Sequence, residues 1–74
     1  PAQAILYLQN AIAYNGLNQP KNAIEYLELG LDYVIENPEM ERDFYLQLSV
    51  AYKTLNNAKK ANFFEQKAQQ LQTN

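Results

Sequence analysis

A stretch of thirteen residues near the start of this 74-residue chain recurs, in register, 38 positions later. The first copy (6–18) reads LYLQNAIAYNGLN, the second (44–56) reads FYLQLSVAYKTLN, and seven of the thirteen positions are identical. The register is kept further along, at Ala23 and Ala61. A fixed period of this length is typical of stacked supersecondary units, each too small to bury its hydrophobic face alone. The repeat therefore predicts two copies of one structural unit packed side by side.

Apolar residues in each copy recur at three- and four-residue intervals, which indicates amphipathic helices, and no stretch alternates as a strand would. Turn signals divide the chain into four helices. Gly16–Asn18 is suited to close the first helix, and Pro20 fits the first turn of the second. Asn37–Pro38 is a start signal for the third helix, with Asn37 as its cap. Asn56–Asn57 separates the third helix from a fourth at about 58–71, one asparagine closing and the other capping.

The links between these segments are short, and a link of only a few residues can do no more than reverse the direction of the chain. Consecutive helices are therefore antiparallel neighbours. One repeat per helix pair then gives two helix-turn-helix hairpins, the first over about 4–37 and the second over about 38–72. Tyrosines recur seven positions apart in the first three helices, so each pair lies along one helix face, and we interpret these stripes as packing seams. The predicted fold class is all-α, in a single domain.

The residues at the packing positions of both copies resemble those of the tetratricopeptide repeat family, over nearly the whole chain. The family's repeat of ~34 residues places aromatic, small and large residues at set offsets. The small residues stand where helix backbones cross closely, so a larger side chain would push the helices apart. The resemblance implies that the two antiparallel hairpins stack as a short right-handed α-solenoid. The matching residues are Tyr7, Ala11, Tyr14, Ala23, Leu27 and Gly30 in the first copy and Tyr45, Leu48, Ser49, Tyr52, Ala61 and Ala68 in the second.

The sequence departs from that family pattern at three points. The period is 38 residues rather than ~34, so the second helix of the first copy is expected to gain about one turn. Asn10 stands where the second copy has Leu48 and the family has an apolar residue. Glu65 occupies the position that Leu27 fills in the first copy. A buried Asn10 would need partners for its amide, whereas exposure at the edge of the stack removes that need.

The resemblance implies a protein–protein interaction module, in which the first helix of each hairpin lines a concave groove for a peptide or a partner helix. Leu8 and Ile12 stand where the chaperone-tail-binding members of the family carry a clamp for a terminal carboxylate, so we do not expect that ligand. A groove with an apolar floor and amides beside it instead suits an amphipathic segment or another helix of the parent protein. The residues that map to the groove are Ile5, Leu8, Gln9, Ile12, Asn15, Asp43, Leu46, Gln47, Val50 and Lys53.

Our leading interpretation is a two-repeat fragment of a larger bacterial scaffold or adaptor protein, with a protein or peptide as its partner. Similar arrays, with repeats somewhat longer than the usual length, also occur in bacterial peptide-sensing regulators. In those proteins the repeats bind a short signalling peptide and move an attached effector domain. That role is the alternative interpretation, and it requires an effector or DNA-binding segment, which these residues do not supply.

Composition argues against other classes of function. The chain has no His and no Cys, and Ser49 falls at a packing position, so we expect no catalytic residue, no metal site and no cofactor. An acidic cluster at the second helix junction lacks the spacing and the glycine of a calcium loop. A net charge of −2 with scattered basic residues argues against a nucleic-acid partner. No apolar run approaches the ~20 residues of a membrane span. None of these features indicates a cellular location.

Phe63 is a further candidate for an interaction, because it aligns with Glu25, which the first copy places on its surface. A phenylalanine at such a position contacts either a second copy of the chain, giving a homo-oligomer, or a neighbouring repeat of the parent protein. The other interpretation is a partly exposed ring that lies against Lys67. Arrays of this kind normally need ~3 or more repeats for stability, which favours the contact.

Overall fold

The computed structural model describes residues 2–71. Within that range the chain forms four α-helices and no strand: α1 (Ala2–Gly16), α2 (Pro20–Leu31), α3 (Pro38–Thr54) and α4 (Ala58–Gln70). Helix α1 packs on α2, and α3 packs on α4, while α2 and α1 both contact α3. Among these helices α4 contacts α3 alone. The all-helical prediction and the stack of two hairpins are confirmed, and the last residue assigned to the second copy, residue 72, lies outside the described residues.

The hairpin turns of the two copies have the same backbone conformation and the same hydrogen bonds. Asn18 and Asn56, which are 38 residues apart, both adopt the left-handed region, at φ 61° and 60°. The amide of Asn18 donates to the carbonyl of Asn15 at 3.0 Å, and the next amide, of Gln19, donates to Tyr14 at 2.8 Å. The equivalent bonds of the second turn measure 2.9 Å and 2.9 Å. This pair of bonds is the Schellman closure, so the sequence repeat is also a repeat of local structure.

The helix starts follow the predicted signals. Pro20 and Pro38 each occupy the first turn of a helix. The Asn37 side chain accepts a hydrogen bond from the amide of Met40 at 3.1 Å. Asn57 accepts one from the amide of Lys60, also at 3.1 Å. Each of these caps satisfies an amide that has no partner within its own helix.

The cap on α4 can be tested against the equivalent position of the other hairpin. Asn57→Ala is expected to lower the free energy of unfolding by about 1 kcal/mol, because the Lys60 amide loses its acceptor. The matched control is Gln19→Ala, since Gln19 precedes α2 and its side chain makes no capping bond. Urea denaturation followed by circular dichroism measures both variants. Equal losses from the two substitutions would contradict a specific contribution from the Asn57 side chain.

The link between the hairpins corrects one expectation. Helix α2 ends at Leu31 after 12 residues, while α4 has 13, so the extra helical turn predicted for α2 is absent and that prediction was wrong. The additional residues form the link 32–37, in which Glu36 adopts φ 52°. The Tyr33 ring stacks on Tyr7 at 5.7 Å, and Val34 packs against the core. A repeat period counts residues between equivalent positions and does not specify their conformation.

Small residues make up most of the core. The fully buried large side chains are Phe44, Leu27 and Leu48. Ser49 is buried as well, and its hydroxyl donates to the carbonyl of Ala61 at 2.9 Å, which satisfies it across the α3–α4 contact. Helix backbones therefore approach closely, as the pattern of small residues predicts. The remaining buried apolar residues are Ala4, Ala11, Ala23, Ala51, Ala61 and Ala68.

The tyrosine stripes form the packing seams that the sequence predicts. In the first hairpin the ring of Tyr26 lies between those of Tyr7 and Tyr14, with centroid distances of 5.9 Å and 5.2 Å. In the second hairpin Phe64, the equivalent of Tyr26, lies between the two tyrosines of α3 at 6.0 Å and 5.7 Å. These contacts run antiparallel along each hairpin and fix how its two helices pair.

Candidate functional site

The face shared by α1 and α3 carries apolar side chains that remain open to solvent. Ile5 and Ile12 on α1 and Leu46 and Val50 on α3 are each between 40 % and 47 % exposed. Exposed apolar residues are ordinary when scattered singly, but a set that follows two adjacent helices is typical of an interaction site. We refer to this surface, together with the amides beside it, as the α1–α3 face.

Asn15 and Gln47 join the two helices near the C-terminal end of α1. The Nδ2 of Asn15 donates to the backbone carbonyl of Gln47 at 3.1 Å and to its Oε1 at 2.9 Å. The Oδ1 of Asn15 is buried and has no hydrogen-bond partner among the described residues. Ile12 lies one helical turn before Asn15, and Val50 lies one turn after Gln47, so the amide pair is flanked by apolar side chains. The arrangement places apolar side chains around an amide pair whose Asn15 Oδ1 is closed to solvent.

The other groove residues predicted from the sequence differ in how the structure places them. The pair just described was predicted residue by residue, but not as a hydrogen-bonded pair. Gln9 is exposed, while Leu8 is partly buried against the core and presents only part of its surface. Lys53 lies at the α4 side of α3, where its Nζ is 3.9 Å from Oε1 of Glu65. Both partners are well exposed, so this ion pair contributes little to stability. The groove assignment as a whole stays a prediction.

A second cluster lies along the α3–α4 edge. The Phe63 ring is 54 % exposed, meets Phe64 edge-on at 5.1 Å and lies under Lys67, whose Nζ is 5.4 Å from the ring centroid. The same ammonium is 5.4 Å from the ring of Tyr45. Burial, together with the hydrogen bond that its hydroxyl donates to the carboxylate of Glu41 at 2.9 Å, raises the pKa of Tyr45 above its ordinary value. The partly exposed Phe63 ring thus lies against Lys67, as one of the two interpretations of the sequence expected. Its contact with another copy of the chain stays a prediction.

A surface depression of about 330 Å³ lies elsewhere, at the turn end of the molecule. It is lined by Leu55 and by the polar segment 19–22 at the start of α2. The depression is wide open, and it lies apart from the α1–α3 face. The candidate site is marked by the run of exposed apolar side chains across two helices and not by this depression.

Neither a metal-binding cluster nor a membrane-spanning helix is found in the described part of the chain. Across residues 2–71, no group of three or more His, Cys, Asp or Glu side chains is arranged to hold a metal ion. No helix over the same range combines the length and the hydrophobicity needed to cross a bilayer. Comparison with protein-family models, curated proteins and solved structures gave no match.

Proposed function

We propose that this chain is a tetratricopeptide-like interaction module that binds a peptide or a partner helix on its α1–α3 face. The observation that carries the proposal is the run of half-exposed Ile5, Ile12, Leu46 and Val50 along the first helices of both hairpins. Side chains of this kind gain free energy when a partner removes them from water. Two helices side by side form a groove of the width that one amphipathic segment fills.

The chemistry of the face defines the class of partner. Helix α1 contains no charged residue, so the α1 side of the groove offers no ion pair to a ligand. A partner with three or four apolar side chains on one face suits this surface. An acidic or basic tail does not.

A peptide selection tests this proposal even though the natural partner is unidentified. Peptides selected from a displayed random library on the native chain are expected to carry apolar residues at helical spacing. Leu46→Arg is expected to weaken binding of a selected, fluorescently labelled peptide by about tenfold or more, because it places a charge in the apolar floor. Fluorescence anisotropy measures the dissociation constants.

Leu29→Arg is the matched control, since Leu29 is 47 % exposed but lies on α2, outside the proposed site. It is expected to leave the dissociation constant unchanged. Circular dichroism of both variants verifies that the helices are intact. Undiminished binding by Leu46→Arg, or equal losses in both variants, would move the site away from the α1–α3 face.

A further inference from the structure

The 38-residue repeat allows one internal interface to serve as a template for another. Helix α2 packs onto the outer face of α3, and the equivalent of α3 in the first hairpin is α1. Phe44 and Leu48 on α3 are 0 % and 1 % exposed. Their equivalents on α1 are Leu6, which is 57 % exposed, and Asn10, which is also exposed. The surface that α2 covers on α3 is therefore open on α1.

This open surface is concave and uncharged. A depression of about 200 Å³ is lined by Gln3, Leu6, Tyr7, Asn10 and Tyr26. Helix α1 carries no charged side chain anywhere along its 15 residues, which is unusual for a helix with this much exposed surface. The counterpart of α2 in the second hairpin is α4. By the same template, α4 of another molecule is the helix expected to cover this surface of α1. The residues of α4 can therefore be compared with those of α2, contact by contact.

The first contact of the template is between Gly30 on α2 and Phe44 on α3, and its two residues change in size in opposite directions. A Cβ on Gly30 would lie 2.6 Å from Cε2 and 2.9 Å from Cζ of Phe44, so this contact requires glycine. The equivalent residues are Ala68 on α4 and Leu6 on α1. Leucine lacks the outer ring atoms with which the added carbon collides. An alanine on one side is thus matched by a smaller side chain on the other.

The second contact changes from apolar to polar on both sides. One turn before Gly30 on α2 is Leu27, and one turn after Phe44 on α3 is Leu48; because the two helices are antiparallel, both leucines lie at the same level. Both are buried in the same cluster. Their equivalents are Glu65 and Asn10, the two departures from the family pattern. A carboxylate opposite an amide N–H₂ is a hydrogen-bonding pair, whereas either one opposite leucine would not be.

The third contact changes on one side only, because the equivalent of Gln47 is also a glutamine. Asn15 of α1 donates to Gln47 of α3 within the chain. The equivalent pair is Lys53 of one molecule and Gln9 of the next, an ammonium donor opposite an amide acceptor. All three substituted pairs are complementary, and α1 contributes no charge that could repel its partner. In the first two pairs both members change, and each change on one side is matched by a change on the other.

We propose that this chain associates head to tail with a second copy of itself, the α4 face of one molecule packing onto the outer α1 face of the next as α2 packs onto α3. The contact is heterologous, because the two faces differ, so each added copy presents the same open face again and the assembly extends as a rod. The α1–α3 faces of successive copies then line one continuous groove. This proposal does not depend on the proposed function, because its first two contacts lie outside the α1–α3 face; only the third uses residues assigned to the groove, Gln9 and Lys53.

Sedimentation velocity tests the contact. The average mass of the native chain is expected to rise between about 10 μM and about 1 mM, the range in which weak contacts become populated. Asn10→Glu is expected to weaken association by about tenfold or more, because the new carboxylate faces Glu65. Adding Glu65→Lys to that variant is expected to restore association, since the pair becomes opposite in charge. Both residues are exposed enough in the single molecule for the fold to tolerate the changes.

Phe63→Asp is the control, because Phe63 is equivalent to Glu25, an exposed residue of α2 that the template leaves outside the contact. It is expected to associate like the native chain. A native chain that stays monomeric throughout, an Asn10→Glu variant that associates normally, or a double variant that stays as weak as the single one would each overturn the proposal. Loss of association in Phe63→Asp would show that self-contact uses the α3–α4 edge instead. Peptide binding by Asn10→Glu is measured separately. It distinguishes failure of the head-to-tail contact from failure of the proposed peptide-binding site.

Discussion

Phe44→Ala is expected to lower the free energy of unfolding by about 3–5 kcal/mol, the usual cost of removing a buried aromatic ring. Phe44 is 0 % exposed and lies where α2 meets α3, in contact range of the Gly30 backbone. Only two other large side chains are as fully buried within the described residues, so the small core cannot close over the cavity. A domain of this size has total stability of about 3–5 kcal/mol. A large unfolded fraction at room temperature is therefore the expected result.

Urea denaturation and far-ultraviolet circular dichroism measure this effect. Leu46→Ala is the matched control, because Leu46 lies two residues away on the same helix and is 40 % exposed. It is expected to cost about 1 kcal/mol, well below the loss for Phe44→Ala, since two-fifths of its surface is already in contact with water. A Phe44→Ala variant that unfolds at the same urea concentration as the native chain would mean that the ring is not central to the core.

Gly30→Ala is expected to destabilise the protein by about 2 kcal/mol, although alanine is the better helix former. The added Cβ would lie 2.6 Å from the Cβ of Tyr7 and 2.6 Å from Cε2 of Phe44. The Tyr7 atom is fixed to its backbone and cannot move aside, so α1 and α2 must separate. Overpacking of this kind costs about 1–3 kcal/mol, which outweighs the gain in helix propensity of about 1 kcal/mol.

Gly16→Ala is the control, because nothing lies within 4 Å of a Cβ added at Gly16 and its φ is not positive. That variant is expected to be more stable than the native chain by about 0.5 kcal/mol, through the reduced freedom of the unfolded chain. Adding Phe44→Leu to Gly30→Ala removes the outer ring atoms, so the double variant is expected to lose less than the two single losses added together. Strict additivity of the two losses would contradict the steric account.

The sequence predicts the elements better than it predicts the links between them. The period, the asparagine turns and the helix starts all follow from local rules, because Asn18, Pro20 and Asn57 act on backbone groups only a few residues away. The length of α2 does not follow from such rules. The helix ends at Leu31, and two residues later the Tyr33 ring stacks on Tyr7, a contact between residues distant in sequence that no local signal specifies.

In the candidate site, too, the residues on each helix could be predicted but the contacts between helices could not. The family resemblance assigned Leu46 and Val50 to one face, and their four-residue spacing agrees with it, because the direction of a side chain depends on its position along the helix. The hydrogen bond between Asn15 and Gln47 depends on how far α1 is displaced along α3, which no spacing within either helix reveals. Lys53 illustrates the same limit, since its pairing with Glu65 depends on where α4 passes.

The four helices differ in how many neighbours they contact, and this difference predicts the order in which they unfold. Helix α3 contacts all three of the others, whereas α4 is attached through α3 alone. Thermal opening that detaches the last helix therefore leaves three mutually contacting helices, with the α1–α3 face still assembled. Opening that removes α3 leaves α4 without a neighbouring helix and takes the α1–α3 face apart. Hydrogen exchange along the chain should thus be fastest in the last helix and slowest in the third.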